Sequence, residues 1–257
     1  MEHANWALRL FFLVVSAFVL WKIFQAKRGK ELYLRRVPGL DKVDEAVGRA
    51  TEMGRPVMFN VGWAGLGVEL FCSLACLSHV TRKSARVDTR VLVPVVIPLT
   101  YPICEEFWKD AYAMEGKAGL FNAEESVRFL SDQQPAFASA AAGWMERERV
   151  GAHFIFGYYG YESLLLAEAG QRAGAMQVAC VYSYFQVPFL IVSCDYTAFG
   201  EEFYAAGAYF GRDPVLVGSL AGQDLAKVLV FILIILGTIL TVSFGKFNWL
   251  YLLLYGS

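Results

Sequence analysis

The sequence predicts an α/β fold, an open Rossmann-like parallel sheet of about five strands flanked by amino- and carboxyl-terminal transmembrane helices. Three observations predict it. Apolar residues crowd the two ends of the 257-residue chain, and the stretch between them alternates short apolar runs with helical segments. The composition also sits between two classes: hydrophobic residues make up 56% and charged residues 18%, with a mean hydropathy of +0.42. Typical soluble chains carry roughly 45–50% apolar and about 25% charged residues. Such a chain is too apolar for disorder. Its 23 Lys and Arg against 24 Asp and Glu give a net charge of −1, which argues against a nucleic-acid partner held by bulk electrostatics.

The first span is read over residues 6–24, close to the ~20 apolar residues that cross a ~30 Å hydrocarbon core. Trp6 and Trp21 mark its two edges, where amphipathic rings favour the headgroup layer, and Arg9 is near enough to one end to snorkel. A cleaved signal peptide would want a basic start and a small-residue cleavage site. The chain begins Met-Glu-His-Ala-Asn, and Gln25-Ala26-Lys27-Arg28 follows the apolar run, so an uncleaved anchor is expected. The second span is read over residues 225–244, with Lys246, Asn248 and a short apolar tail over residues 249–255 lying at the interface. Residues 1–24 thus form the first helix, 25–37 a basic juxtamembrane linker, 38–222 the α/β domain and 223–257 the second helix with its tail. Lys22, Lys27, Arg28, Lys30, Arg35 and Arg36 crowd one end of the first span and Lys227 opens the second. The positive-inside rule then predicts a plasma (inner) membrane protein with its central domain cytoplasmic and both termini outside. Five cysteines without a paired framework agree with a reducing compartment.

Within the middle segment, residues 41–53 read as a helix that Asp41 can cap and Gly54 ends. Residues 57–61, 91–97, 152–156, 175–182 and 189–194 are apolar runs of strand length, and helices are read over 66–79, 102–114, 131–149, 161–172 and 200–210. Short strands separated by helices imply a parallel sheet covered on both faces. Pro94 lacks a ladder donor and is expected to put its strand at an edge.

The run Arg35-Arg36-Val37-Pro38-Gly39-Leu40 is followed by residues 45–56, EAVGRATEMGRP. Together they resemble the opening of an uncharacterised family of prokaryotic membrane proteins. Residues 200–207, GEEFYAAG, with Gly218-Ser219-Leu220 and Gly222-Gln223-Asp224, are similar to that family's closing part. The resemblance implies a membrane-anchored α/β domain and carries over no activity, catalytic residue or cofactor.

In an open parallel sheet, ligands bind beyond the carboxyl ends of the strands. That expectation gathers Asn60, Gly62 and Trp63 after the first strand, and Pro98, Thr100 and Tyr101 after the second. Gly157, Tyr158, Tyr159, Gly160 and Glu162 follow the third, and Asp195 and Tyr196 the last. Glycines at helix starts suit an anion, but the plainer reading is that they turn the chain between strand and helix, and neither G-x-G-x-x-G nor a phosphate-loop Lys is present. Glu162, Asp195, Glu201 and Glu202 are carboxylates for acid–base work or cation binding, and the last two also suit a helix's first turn without any function. Cys72, Cys76 and His79 share a helix face, yet their apolar neighbours favour core packing, and no metal site is expected. His153 reads as an interior histidine. Tyr158, Tyr159, Tyr161, Tyr182, Tyr184 and Tyr196 fall near strand ends and suit a semi-apolar pocket, an interface or a membrane-facing surface.

Two small-residue pairs, Gly207/Gly211 and Gly218/Gly222, have the spacing that lets helices approach closely, which suits a homo-oligomer or other membrane subunits. Beyond the lipid bilayer as partner, two function classes follow. One is a non-catalytic membrane-anchored subunit or self-assembling scaffold with a cytoplasmic docking domain. The other is a membrane-tethered enzyme or sensor taking a nucleotide or small anionic ligand at the strand carboxyl ends.

Overall fold

A computed structural model describes residues 6–244 apart from Glu31, Leu34, Ala64 and Arg212. The interfacial tail expected over residues 249–255, with Lys246 and Asn248, lies outside the described residues. The chain divides into two compact units, one holding the terminal helices and the other spanning Arg36–Gly211.

The terminal unit contains α1 (Trp6–Lys27) and α11 (Pro214–Phe244). Both are long and apolar enough to cross a membrane. The second begins well before residue 225, because Pro214 suits a first helical turn and the Asp213 carboxylate accepts the Val215 and Leu216 N–H groups as a cap. The two helices pack antiparallel. Gly218 lies against Ile23, where a Cβ would come within 2.5 Å of the Ile23 Cα, and Gly222 lies against Val19 at 2.6 Å. Bare backbone is what permits this approach.

In the other unit the elements run α2 (Pro38–Asp41), α3 (Val43–Glu52), β1 (Val57–Asn60), α4 (Val68–Arg86), β2 (Val91–Val95), α5 (Tyr101–Met114), α6 (Ala123–Ser126) and β3 (Val127–Phe129). They continue with α7 (Gln134–Glu148), β4 (Ala152–Gly157), α8 (Glu162–Ala173), β5 (Met176–Val181), α9 (Val187–Ser193), β6 (Tyr196–Phe199) and α10 (Glu201–Gly211). All six strands are parallel, in the order β3-β2-β1-β4-β5-β6. One face buries Phe59, Phe154 and Phe156 under α3, α4, α5 and α10, with the Phe59 and Phe156 rings stacked at 5.0 Å. The other face is covered by α7, α8 and α9.

The six strands accord with the expected open parallel sheet of about five. Three expectations are corrected. Residues 189–194 are not a strand: α9 occupies 189–193, opened by Pro188 in its first turn, Cys194 follows as its extended C-cap, and the last strand is β6. β3, only three residues long, was not foreseen. β2 is interior, since β3 pairs on its outer side. Pro94 is tolerated because the β1–β2 ladder runs only over Val57↔Val91 and Met58↔Leu92, and the missing donor falls beyond it. Asp41 closes α2 instead of capping α3, and takes a hydrogen bond from the Tyr209 hydroxyl near the end of α10.

Filling the interhelical contact tests the packing of α1 on α11. Gly222→Leu should cost about 1–3 kcal/mol by overpacking and lower the unfolding midpoint in an SDS titration of mixed micelles. The exposed Gly211, around which a Cβ meets nothing within 4 Å, should tolerate Gly211→Ala without a matching loss.

Candidate functional site

The strand order reverses between β1 and β4, the switch point outside which open α/β sheets bind ligands. The loops leaving these two strands press backbone against backbone. Trp63 N–H donates to the Tyr158 carbonyl at 3.0 Å. Gly62 has φ +69°, and a Cβ there would lie 2.8 Å from that same oxygen. Gly157 has φ +117°, and its Cβ would lie 2.7 Å from the Val61 carbonyl. Both positions require glycine for conformation and for space.

Beneath this approach runs a buried polar row. Gln177 Oε1 can only accept, so His153 Nδ1–H donates to it at 3.0 Å, and the neutral ring's Nε2 accepts from Asn60 Nδ2 at 2.7 Å. Gln177 Nε2 donates onward to the Ala167 and Ser193 carbonyls. All three side chains are fully buried, and Asn60 Oδ1 has no hydrogen-bond partner among the described residues. Burial is the chief cause that holds the His153 imidazole down to about 4, against an ordinary 6.5. The interior-histidine reading therefore describes it correctly.

Around the switch point, the Tyr159 hydroxyl donates to the Asn60 carbonyl at 3.0 Å. Glu162 opens α8 and is fully buried: Oε1 accepts the Gly160 N–H at 2.7 Å, while Oε2 has no hydrogen-bond partner among the described residues. The Trp63 indole N–H is likewise buried without a hydrogen-bond partner among the described residues, its ring edge-on to Phe137 at 6.4 Å. Thr100 is buried with its hydroxyl turned back to the Ile97 carbonyl, and Tyr101 starts α5 at the carboxyl end of β2. Tyr158 and Tyr161 are exposed.

Towards β5 and β6, Tyr158, Tyr182, Phe203 and Tyr204 form an aromatic cluster, with Tyr182 at 5.8, 5.2 and 5.9 Å from the other three rings. Tyr204 Oη donates to Glu69 Oε1 at 3.4 Å, and burial, then the Glu69 charge, pushes the Tyr182 phenol up to about 12. Sequence reasoning missed Glu69 and Tyr204. Glu69 looks like any first-turn acid, and Tyr204 sits inside a helix far from the strand ends in sequence.

Asp195 and Tyr196 do not join this site. Because residues 189–193 are helical, both residues lie at the amino end of β6, where Asp195 Oδ2 accepts the Gln177 N–H at 2.7 Å. Gly207 is buried on α4 beside Cys72 and Ala75, and Gly218 and Gly222 are taken up by α1 of the same chain. Cys76 is buried, Cys72 half-buried, and His79 bonds to Asp44 at 2.9 Å and stacks on Phe210 at 4.4 Å. Among the described residues no group of three metal-ligating side chains is found.

The electrostatics run against an anion. The helices that start beside the carboxyl ends, α4, α8 and α10, open with Glu69, Glu162, and Glu201 with Glu202. Where a phosphate would meet bare N–H groups at α4, Glu69 Oε2 lies 2.6 Å from the space beside Gly67. No Lys or Arg occurs in residues 60–70, 96–106, 129–134, 157–165, 182–190 or 199–206.

Compared with known families, residues 1–250 match a domain of unknown function (DUF6754). No curated protein and no solved structure matches the chain. An uncharacterised family is what the opening and closing motifs resembled.

Two measurements check the site's construction. Above pH 6.5 the polar row contributes its full stability. As pH falls towards 4 the unfolded chain binds a proton that the folded His153 refuses, so stability drops by on the order of 3 kcal/mol. The pH dependence of the thermal midpoint should show this loss, and His153→Gln should remove that part of the slope. Gly62→Ala should cost more than about 2 kcal/mol through its φ and its backbone clash, whereas Gly65→Ala, which meets nothing within 4 Å, should cost far less.

Proposed function

We propose, from the premise that the chain belongs to the DUF6754 family, that it is a non-catalytic membrane-anchored subunit of a membrane protein complex. Its α/β domain is the docking module. α1 and α11 are the two spans, the domain is cytoplasmic and both termini are outside, a topology supported by the basic residues that follow the first span. The free cysteines, four of the five buried, agree with a reducing compartment.

One observation carries the docking reading. α9 and the turn before it expose five large apolar side chains within nine residues. Phe185 is 84% and Val192 85% exposed, and Tyr184, Phe189 and Ile191 stand beside them. Only Leu190 of the helix is fully buried. Contiguous exposed apolar surface of this kind suits a protein partner. The partner is another membrane subunit, of this chain or a different one. Gly218 and Gly222, already packed on α1, leave α9 as the better-supported contact.

A second reading is a membrane-tethered sensor with a small ligand at the switch point, favoured by the unpartnered oxygen of Glu162.

Light scattering of the chain extracted in mild detergent tests the subunit reading. The expected result is a stoichiometric complex of two or more chains, which Phe185→Asp with Val192→Asp dissociates while the domain's melting transition stays cooperative. A monomer at every concentration, from an extraction in which no other protein copurifies stoichiometrically, would overturn it.

A further inference from the structure

At the amino ends of the strands, a cleft gathers arginines from three parts of the chain. We propose that Arg55, Arg149 and Arg172 form a binding site for a phosphate monoester. This goes beyond the docking reading and does not depend on it.

The cleft is open to solvent, has a volume of about 480 Å³ and is lined by Arg55, Glu146, Arg149, Arg172 and Ala173. Arg55 lies just before β1, Arg149 just after α7 and Arg172 in the last turn of α8. Three guanidiniums against one carboxylate leave the lining an excess of two positive charges. Arg55 Nη1 donates to the Ala173 carbonyl at 3.2 Å, and Arg172 Nη2 pairs with Glu146 Oε1 at 3.2 Å, so both are held at the cleft with further N–H groups to spare. Glu168 meets Arg172 Nη1 only at 3.7 Å, and both side chains are 58% exposed, so solvent screens that pair. The Arg149 side chain has no ion pair or hydrogen bond among the described residues. Elsewhere in the domain the arginines are answered: Arg82 and Arg86 share Glu115, and Arg90 bonds Glu148.

Helix dipoles do not account for the group. α7 and α8 both end here, and cations suit helix carboxyl termini. Backbone N–H groups already answer those ends, however. Arg149 and Val150 donate to the Glu146 and Met145 carbonyls, and Gly174 and Ala175 to those of Gln171 and Gly170. Arg149 and Gly174 take the same left-handed cap, at φ +51° and +72°, a conformation that glycine adopts without strain. What an arginine adds at that position is its side chain.

The donor set selects the ligand class. A guanidinium fork binds two phosphate oxygens at once, and forks from three elements suit a tetrahedral group better than a flat carboxylate. The excess charge of the lining matches a phosphate dianion. A soluble monoester and a phosphatidate headgroup share this chemistry, and two arms of one experiment separate them.

Thermal unfolding of the full chain is the test. One arm uses a neutral detergent with glycerol 3-phosphate; the other uses phosphatidylcholine nanodiscs with and without phosphatidate. Potassium acetate and potassium chloride at matched ionic strength are the controls. The midpoint should rise saturably by several degrees with glycerol 3-phosphate, or with phosphatidate alone where the site takes only the lipid, and neither control should move it. Arg149→Gly should leave the unliganded midpoint level or higher and weaken the response roughly fivefold or more in apparent affinity. Should that variant lose its cooperative transition, Arg149→Gln serves instead, with the same loss expected. The proposal is overturned if neither phosphate source moves the midpoint, if acetate or chloride matches them, or if the folded variant responds as the unaltered chain does.

Discussion

The pairing of β1 with β4 is the joint on which the rest of the domain depends. All four residues of β1 pair with β4, from Val57↔Ala152 to Asn60↔Ile155. It is also where the chain changes direction across the sheet, sending β2 and β3 to one side and β5 and β6 to the other. A parallel sheet must bury both faces, so each strand needs a crossover helix and the two halves of the sheet recruit theirs on opposite faces. The register then brings Asn60 to His153 and His153 to Gln177, a hydrogen-bonded row that leaves few alternative alignments of three adjacent strands.

The same joint shapes the carboxyl end. Two loops forced together at Gly62 and Gly157 hold Trp63, Tyr159 and Glu162 beside the switch point. The helices beginning there carry their own carboxylates. A helix amino terminus attracts negative charge, and here the charge is supplied by the protein. At the opposite end of the sheet α2 packs by the start of β6, and the Tyr209 hydroxyl near the end of α10 bonds Asp41.

Legibility in the sequence varied with the length and completeness of the pattern. β1, β4 and β5 are short, mostly apolar runs bounded by glycine or turns, each with a single polar residue, and they were readable almost to the residue. Residues 189–194, Phe-Leu-Ile-Val-Ser-Cys, look like a strand because a run this short carries no usable periodicity. Pro188 was the available sign of a helix start. β3 is Val-Arg-Phe, too short and too polar to register, and its existence is what turned Pro94 from an edge marker into an interior residue. The glycine pairs show a different failure. Their spacing predicts close approach, and close approach is found, but spacing is silent on which helix approaches.

What the sequence determined by itself was the plan: two apolar helices around an alternating middle, a parallel sheet, and the loops that end up at its carboxyl edge. These follow from local pattern, since the period of apolar residues and the turn residues between them act over a few positions. Tertiary structure decided which of those loop residues meet. Asp195 was sent to the other end, Glu69 and Tyr204 were drawn in, and Glu162 was buried with one oxygen unanswered. Such outcomes depend on strand order and on which helix covers which face, and those are settled by packing between segments a hundred residues apart rather than by any pattern within them.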